Sequence, residues 1–357
     1  MTQTAAFDPV PTNLATLLEP TWLARALSDI GGDDRIVEVE ELDTSRTLAA
    51  KVRFRVTVED ATGSRRTTAY CVKAHFDDDG PATLASEARF YRDLAPRVGI
   101  RTPRVYYTGL DEATGRALVV MEDVVGNGGR FLDARQPYSI ETTRDSLGQL
   151  ARLHAATWGE PVPAGCDWLE PKIAPMAGGF PADALQTLLD DGRGHDVSAE
   201  LRDAKLLQAA VRATGEAPAT CLLHGDTHSG NVYLDAEGRA CWLDWQVIQP
   251  GHWSTDIAYH LATVLDVDDR RTHEAELLRH YLGELEAQGA AAPAFDDAWE
   301  AYTLGFAFGY FLWTITRISS RAIVLIHFPR IAAALADHDT FRRLGVSHSR
   351  KDPASSQ

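Results

Sequence analysis

Between Ile36 and Phe76 the chain alternates apolar and polar positions with a period of two. Val52, Phe54, Val56 and Val58 alternate with Arg53, Arg55 and Thr57, the pattern of a half-buried strand. The ATGSRR stretch at 61–66 predicts a turn. The strand expected after it, TTAYCVKAHF, puts Tyr70, Val72, Ala74 and Phe76 on one face and Cys71, Lys73 and His75 on the other. A helix is expected to start near Pro81 or Ala82, where proline is favoured, with Leu84, Glu87, Tyr91 and Leu94 on its inner face. VYYTGL (105–110) and ALVVMED (117–123) flank a DEATGR turn and predict a hairpin, where the sheet-rich region stops. Beyond Gly126–Gly129 the period becomes helical. Ser139 is placed to cap a helix whose stripe is Leu147, Leu150, Ala151, His154 and Trp158. Further helical patterns cover 182–192, 198–213, 254–265, 273–287, 295–318 and 329–337, and Thr21–Leu27 suits a short opening helix. Residues 1–13 and 346–357 are polar or marked by proline and are expected to fray.

This order of elements predicts an α+β chain. A 1–20 extension precedes a β-rich N-lobe over 21–123, then a mainly helical C-lobe over 124–345 and a flexible tail over 346–357. A length of 357 residues suits two folded units, and a cleft between lobes is a favoured ligand site. The net charge of -16 repels a phosphate backbone, so nucleic acid is not expected as a partner, although a pocket for one phosphorylated ligand is allowed. Cys71, Cys166, Cys221 and Cys241 form no CxxC pair and predict reduced, buried thiols in a cytoplasmic protein. The N-terminus has neither a basic region nor a long apolar run of the kind a signal peptide carries. Ala301–Thr316 carries no charge, but it is shorter than the ~20 apolar residues of a membrane span and predicts a core helix instead.

The chemistry concentrates in CLLHGDTHSGNVYLDAEGRACWLDWQ, residues 221–246. VYL and ACWLD flank a DAEGR turn, so a hairpin should fold Asp244 back toward Asn231. Phosphoryl transfer needs a carboxylate beside the attacking hydroxyl and hard oxygen ligands for Mg²⁺. Asp226 suits the first task, and the Asn231 amide oxygen and Asp244 carboxylate suit the second. Asp226 precedes Asn231 by five positions, the spacing of the D-x-x-x-x-N loop of protein kinases.

HGDTHSGN followed by LDWQ resembles the HGDxHxxN…DW/DF pattern of the aminoglycoside-phosphotransferase and choline-kinase-like superfamily, a relative of the protein kinases. GGRFLDARQPYS (128–139) and LARLHAATWG (150–159) are most similar to its ecdysteroid-kinase-like branch and the bacterial relatives of that branch. The resemblance runs from about Ile36 to Leu335. It implies a bilobal, protein-kinase-like fold and an ATP-dependent O-phosphotransferase acting on a small hydroxylated molecule, with MgATP between the lobes. By that likeness Lys73 grips the α/β-phosphates. Glu87, a carboxylate on an apolar helix face, needs a cation and pairs with Lys73. VVMEDVVGNGG resembles a kinase hinge, with Met121 beside the adenine and backbone groups of Glu122 and Val124 at its edge. Asp226 directs the acceptor hydroxyl, and His228 assists near the transferred phosphate or fixes the loop. Asn231 and Asp244 hold the metal. His224 bonds backbone or Asp256, and Asp256 braces the loop, with a helix cap as its plainer role. Two departures stand out. EELDTSRTLAAKVRF (40–54) has no glycine where a G-x-G-x-x-G loop is expected, so Thr44, Ser45 and Thr47 are the candidates for phosphate contact. Trp245-Gln246 replaces the Phe-Gly of protein kinases, so no activation-segment switch is implied.

Two other readings compete. His224, Asp226 and His228 at i, i+2 and i+4 have the residue types of a zinc hydrolase. The missing glycines favour a non-catalytic pseudokinase. For the acceptor, Trp158, Trp168, Trp299, Tyr302, Phe306, Tyr310 and Trp313 offer an apolar wall or, more plainly, ordinary core packing. Acidic residues would suit an aminoglycoside and aromatic faces a choline-like cation. The resemblance tilts the expectation toward a hydrophobic alcohol.

Overall fold

A computed structural model of the chain describes residues 7–46, 49–76 and 83–346. The chain divides into two compact units, Met1–Phe131 with Asn231–Ile248, and Leu132–Gly230 with Gln249–Gln357.

The first unit begins with α1 (Leu14–Leu17), α2 (Pro20–Ala26), β1 (Arg35–Arg46), β2 (Ala50–Glu59) and β3 (Arg65–Ala74). It continues through α3 (Thr83–Arg89), a π-helical turn (Phe90–Leu94), α4 (Ala95–Val98), β4 (Val105–Asp111), β5 (Arg116–Glu122) and β6 (Arg130–Phe131). The second unit then supplies α5 (Ile140–Ala156), α6 (Ile173–Gly179), α7 (Ala182–Leu189), α8 (Ala204–Glu216) and β7 (Cys221–Leu223). The chain returns to the first unit for β8 (Val232–Leu234) and β9 (Ala240–Trp242). It ends in the second with β10 (Gln249–Gly251), α9 (Ser254–Val264), α10 (Val267–Ala287), α11 (Phe295–Leu304), α12 (Phe306–Ile315), α13 (Arg321–Asp337) and α14 (Thr340–Arg343).

An antiparallel sheet in the order β1-β2-β3-β5-β4 frames the first unit. Its period-two pattern sorts the side chains as expected. Val52, Phe54, Val56, Val58, Tyr70, Val72 and Ala74 are buried in one core with Leu17, Trp22 and Leu23 from α1 and α2. Residues 7–13 are not frayed. Phe7 stacks on Trp22 at 5.8 Å, Val10 is buried, and the Trp22 indole N–H donates to the Asp8 carbonyl. An apolar sheet face needs a cover, and this segment supplies it. Residues 1–6 and 347–357, and the expected helix start at Pro81 or Ala82, lie outside the described residues.

The expected boundary at 123/124 differs from the observed one. β6, β8 and β9 form a second small sheet of the first unit, and the Trp242 N–H donates to the Arg101 carbonyl. These pairings carry Asn231–Ile248 into the β-rich unit.

The second unit is mainly helical. Every residue of α9 is buried, which makes it the central helix. Ser139 caps α5 as predicted, accepting from the Thr142 N–H. The helix expected over 295–318 breaks at Gly305. A Cβ there would lie 2.8 Å from Ala258 Cβ, so α9 passes against the bend itself. α13 runs through Pro329 instead of starting there. The carbonyl that proline leaves unbonded belongs to Leu325, an exposed residue that water can reach. α10 starts earlier than expected because Asp266 caps a polar first turn by accepting from the Asp269 N–H. Tyr302, Phe306, Tyr310 and Trp313 are buried, as the core-packing reading expects. Among the described residues no helix is long and apolar enough to cross a membrane.

Candidate active site

In the first unit β3 places Lys73 on the face opposite the apolar core, yet its side chain is only 5% exposed. Its ammonium lies 2.6 Å from Glu87 Oε2 and 2.9 Å from Asp244 Oδ1. Glu87 comes from α3 and is fully buried, whereas Asp244 keeps 23% of its side chain exposed. Burial works against the Lys73 charge, but Asp244 and Glu87 more than offset it and hold its pKa above the usual range. Burial raises the Glu87 pKa while Lys73 opposes the rise. The cation expected beside Glu87 is therefore present, and it also grips the carboxylate expected at the metal.

Asp244 takes a left-handed backbone conformation, φ +68°, which is uncommon for a residue with a Cβ. The β8–β9 hairpin brings it there. Val232 pairs with Trp242, and the Leu243 N–H donates to the Asn231 carbonyl at 3.1 Å, so Asp244 follows directly on the residue bonded to Asn231. An amide oxygen and a partly exposed carboxylate on neighbouring strand ends are hard donors of the kind that suit Mg²⁺.

Ser45 pairs with Lys51 across β1–β2, and Lys51 pairs with Lys73 across β2–β3, so all three lie on one face of the sheet. Thr44 is different. It pairs with core-facing Val52, and its hydroxyl donates to Glu41, so its side chain does not share the Lys73 face. Thr47 lies outside the described residues. Met121 pairs with Cys71 and Val105 on β5. The Glu122 N–H is bonded to the Arg104 carbonyl and the Val124 carbonyl to the Gly129 N–H, so two of the expected hinge groups are already engaged. Sequence reasoning missed the brace behind them. Arg53, read only as a polar alternation, makes two hydrogen bonds of 2.9 Å to the buried carboxylate of Asp123. A cavity of about 480 Å³ opens beside Glu122 and Val124 and is also lined by Arg101, Asn127, Tyr233 and Arg239. Lys73, Glu87 and Asp244 do not line it.

In the second unit β7 leads into the loop that begins at His224. Gly225, at φ +83°, makes the turn that a residue with a side chain would resist. Buried Asp256 on α9 accepts the His224 N–H at 2.7 Å and the Gly225 N–H at 2.9 Å, and its backbone carbonyl accepts the Thr227 hydroxyl. His154 Nε2 lies 3.2 Å from the same carboxylate, and His154 Nδ1 meets the Tyr281 hydroxyl. Asp256 is thus a brace of the loop; the position preceding α9 makes no side-chain cap bond. The imidazole Nδ1 of His224 accepts the Asp226 N–H.

Asp226 and His228 meet in this loop. His228 Nδ1 accepts the Gly230 N–H at 2.9 Å, which fixes the ring and turns Nε2 toward Asp226 Oδ2 at 3.6 Å. The Tyr259 hydroxyl donates to Asp226 Oδ1 at 3.0 Å, a contact with no warning in the sequence pattern. His260 supports the loop: its Nδ1–H donates to the Thr227 carbonyl, and its Nε2 lies 2.7 Å from Ser146 Oγ. Burial pushes its pKa down to about 4, so the ring stays neutral. Among the described residues no three His, Cys, Asp or Glu side chains cluster to hold a metal, the arrangement that the zinc reading needs.

A family model described as "Phosphotransferase enzyme family" matches residues 46–296. A search of curated proteins by sequence returned no match. Among solved structures, LicA in complex with AMP aligns at 14% identity over 89% of this chain and 97% of that one, with a TM-score of 0.51. The GDP complex of wild-type aminoglycoside 2'-phosphotransferase-IIIa aligns at 14% identity, again over 89% and 97%, also with a TM-score of 0.51. At such identities the likeness is one of fold. The chain has the α+β, protein-kinase-like architecture, with an antiparallel sheet in one unit and helices in the other.

Proposed function

We propose that this chain, which belongs to the phosphotransferase enzyme family, transfers the γ-phosphoryl group of ATP to a hydroxyl of a small molecule. The observation that carries the reading is the Lys73 ammonium held between Glu87 and Asp244. A buried cation oriented by one carboxylate and set beside a more exposed one suits the phosphates of a nucleotide and the ion that travels with them. A pseudokinase has no need to retain this arrangement together with Asp226.

In this reading Lys73 holds the α/β-phosphates, and Ser45, two strands away on the same face, contacts them from the hairpin. Met121 lies beside the purine, with backbone groups of Glu122 and Val124 at its edge. Asn231 and Asp244 would hold Mg²⁺, which when bound neutralises charge on the phosphates. Asp226 orients the acceptor hydroxyl and takes its proton. As that O–H bond breaks, the acceptor oxygen bonds to the γ-phosphorus. The bond to the β–γ bridging oxygen breaks and ADP leaves. Positioning and electrostatics do most of the work. His228, anchored by Gly230, keeps its Nε2 beside Asp226 and steadies that carboxylate's charge until the proton arrives.

The GDP and AMP complexes of the two solved relatives support a purine nucleotide as donor. The acceptor is a small-molecule alcohol. The test is ADP release from MgATP on addition of a mixed library of steroid, terpenoid, macrolide, aminoglycoside and amino-alcohol acceptors. Acceptor-stimulated release that vanishes in Asp226→Asn supports the reading, and stimulated release that persists in that variant contradicts it.

A further inference from the structure

α9 and α12 approach each other more closely than side chains ordinarily allow. At Gly309, in the middle of α12, a Cβ would stand 2.6 Å from Cγ of the Tyr259 ring. One turn earlier, Gly305 lets Ala258 and the Ser254 carbonyl come equally near. Glycine inside a helix costs about 1 kcal/mol relative to alanine, so this stretch gives up helix stability to admit an aromatic ring against its backbone. The admitted ring belongs to Tyr259, whose body is buried and whose hydroxyl reaches Asp226 Oδ1 at 3.0 Å. Phenylalanine would fill the same space without burying a hydroxyl.

We propose that Tyr259 is a positioning residue for Asp226, its hydroxyl fixing the plane of the carboxylate and keeping it ionised. This rests on the role given to Asp226 above. The ring is pressed between α9 and the glycine face of α12, so the hydroxyl cannot swing away, and a carboxylate bonded to it holds one orientation while the acceptor approaches. Burial, and next the charge of Asp226 itself, raises the Tyr259 pKa well above the ordinary tyrosine range, so the hydroxyl stays a donor at every working pH. Among the described residues of this unit, the titratable groups facing Asp226 include Tyr259 from α9 and His224 and His228 from its own loop. Asp256 and His260 on α9 and His327 on α13 stand behind them.

The test compares wild type with Tyr259→Phe in two ways. In protein labelled with ¹³C at aspartate carboxyls, the Asp226 signal is assigned by its loss in Asp226→Asn and titrated. A lost hydrogen bond to a carboxylate should raise its pKa by about one unit. An unchanged pKa overturns the proposal. In parallel, MgATP hydrolysis with water as acceptor should lose about tenfold in kcat. KM for ATP should stay within about twofold, and the acid limb of the pH profile should move up with the carboxyl pKa. Equal kcat and an unshifted limb overturn it as well. Gly309→Ala, which displaces the ring and leaves the hydroxyl in the chain, should reproduce the carboxyl shift. The titration needs no turnover, so it decides the matter even if wild type phosphorylates nothing, a result that would count against the proposed function instead.

Discussion

Trp245 lies face to face with Phe90, the ring centroids 3.7 Å apart and the planes 13° from parallel. The contact ties the residue after Asp244 to the π-helical turn that follows Glu87, so the two carboxylates around Lys73 are fixed to each other through buried aromatic rings. Where protein kinases have a mobile Phe-Gly, this chain has a stacked indole. Trp245→Ala should destabilise the protein by about 3–5 kcal/mol, and Trp245→Phe, which keeps a stacking ring, by about 1–2 kcal/mol. Denaturant titration separates the two.

Lys73 and Glu87 form a buried pair whose members depend on each other. Lys73→Met leaves Glu87 without its cation and should cost about 3–5 kcal/mol, with MgATP binding lost. The double variant Lys73→Met/Glu87→Leu should recover much of that stability and none of the nucleotide binding. Chemical denaturation and calorimetric titration with MgATP read the two effects apart.

Asp256 accepts two loop N–H groups deep in the second unit. Asp256→Ala leaves both buried donors unpaired, at about 1–3 kcal/mol each. Hydrogen exchange at His224 and Gly225 should quicken and turnover should fall. Unchanged protection at both amides would refute the bracing role.

Buried histidines contribute to the response to acid. Burial lowers the pKa of His260 to about 4 and also lowers those of His252 and His327. In the unfolded chain each titrates near ~6.5. Between ~6.5 and 4 the unfolded state binds more protons than the native one, so stability is fully present above ~6.5 and falls as pH drops toward 4. His260 alone accounts for about 3 kcal/mol of that loss. Denaturation at a series of pH values should show the slope, and His260→Gln should flatten it.

Much of this architecture was legible because it follows from local rules. The alternation at Val52–Val58 located β2 and its core face, and the DAEGR turn located the hairpin that joins Asn231 to Asp244. Glu87 on an apolar helix face demanded a cation, and Lys73 is there. What stayed hidden depends on contacts between distant segments. Arg53 looked like any solvent-facing strand residue, because nothing near it in sequence announces Asp123. Tyr259 looked like one more apolar position of a buried helix; its meaning comes from Gly309 and Asp226, both far along the chain. The cover supplied by residues 7–13 was hidden for the same reason, since a polar, proline-marked stretch gives no period to read.

In the proposed reaction Asp226 directs a hydroxyl onto the γ-phosphorus of ATP. The most direct measurement uses ATP with ¹⁸O in its γ-phosphoryl group, the mixed acceptor library, and mass spectrometry of the products. Wild type should yield an alcohol ester carrying the labelled phosphoryl group, and Asp226→Asn should yield none. A labelled ester formed by Asp226→Asn at the wild-type rate would rule out that role for Asp226.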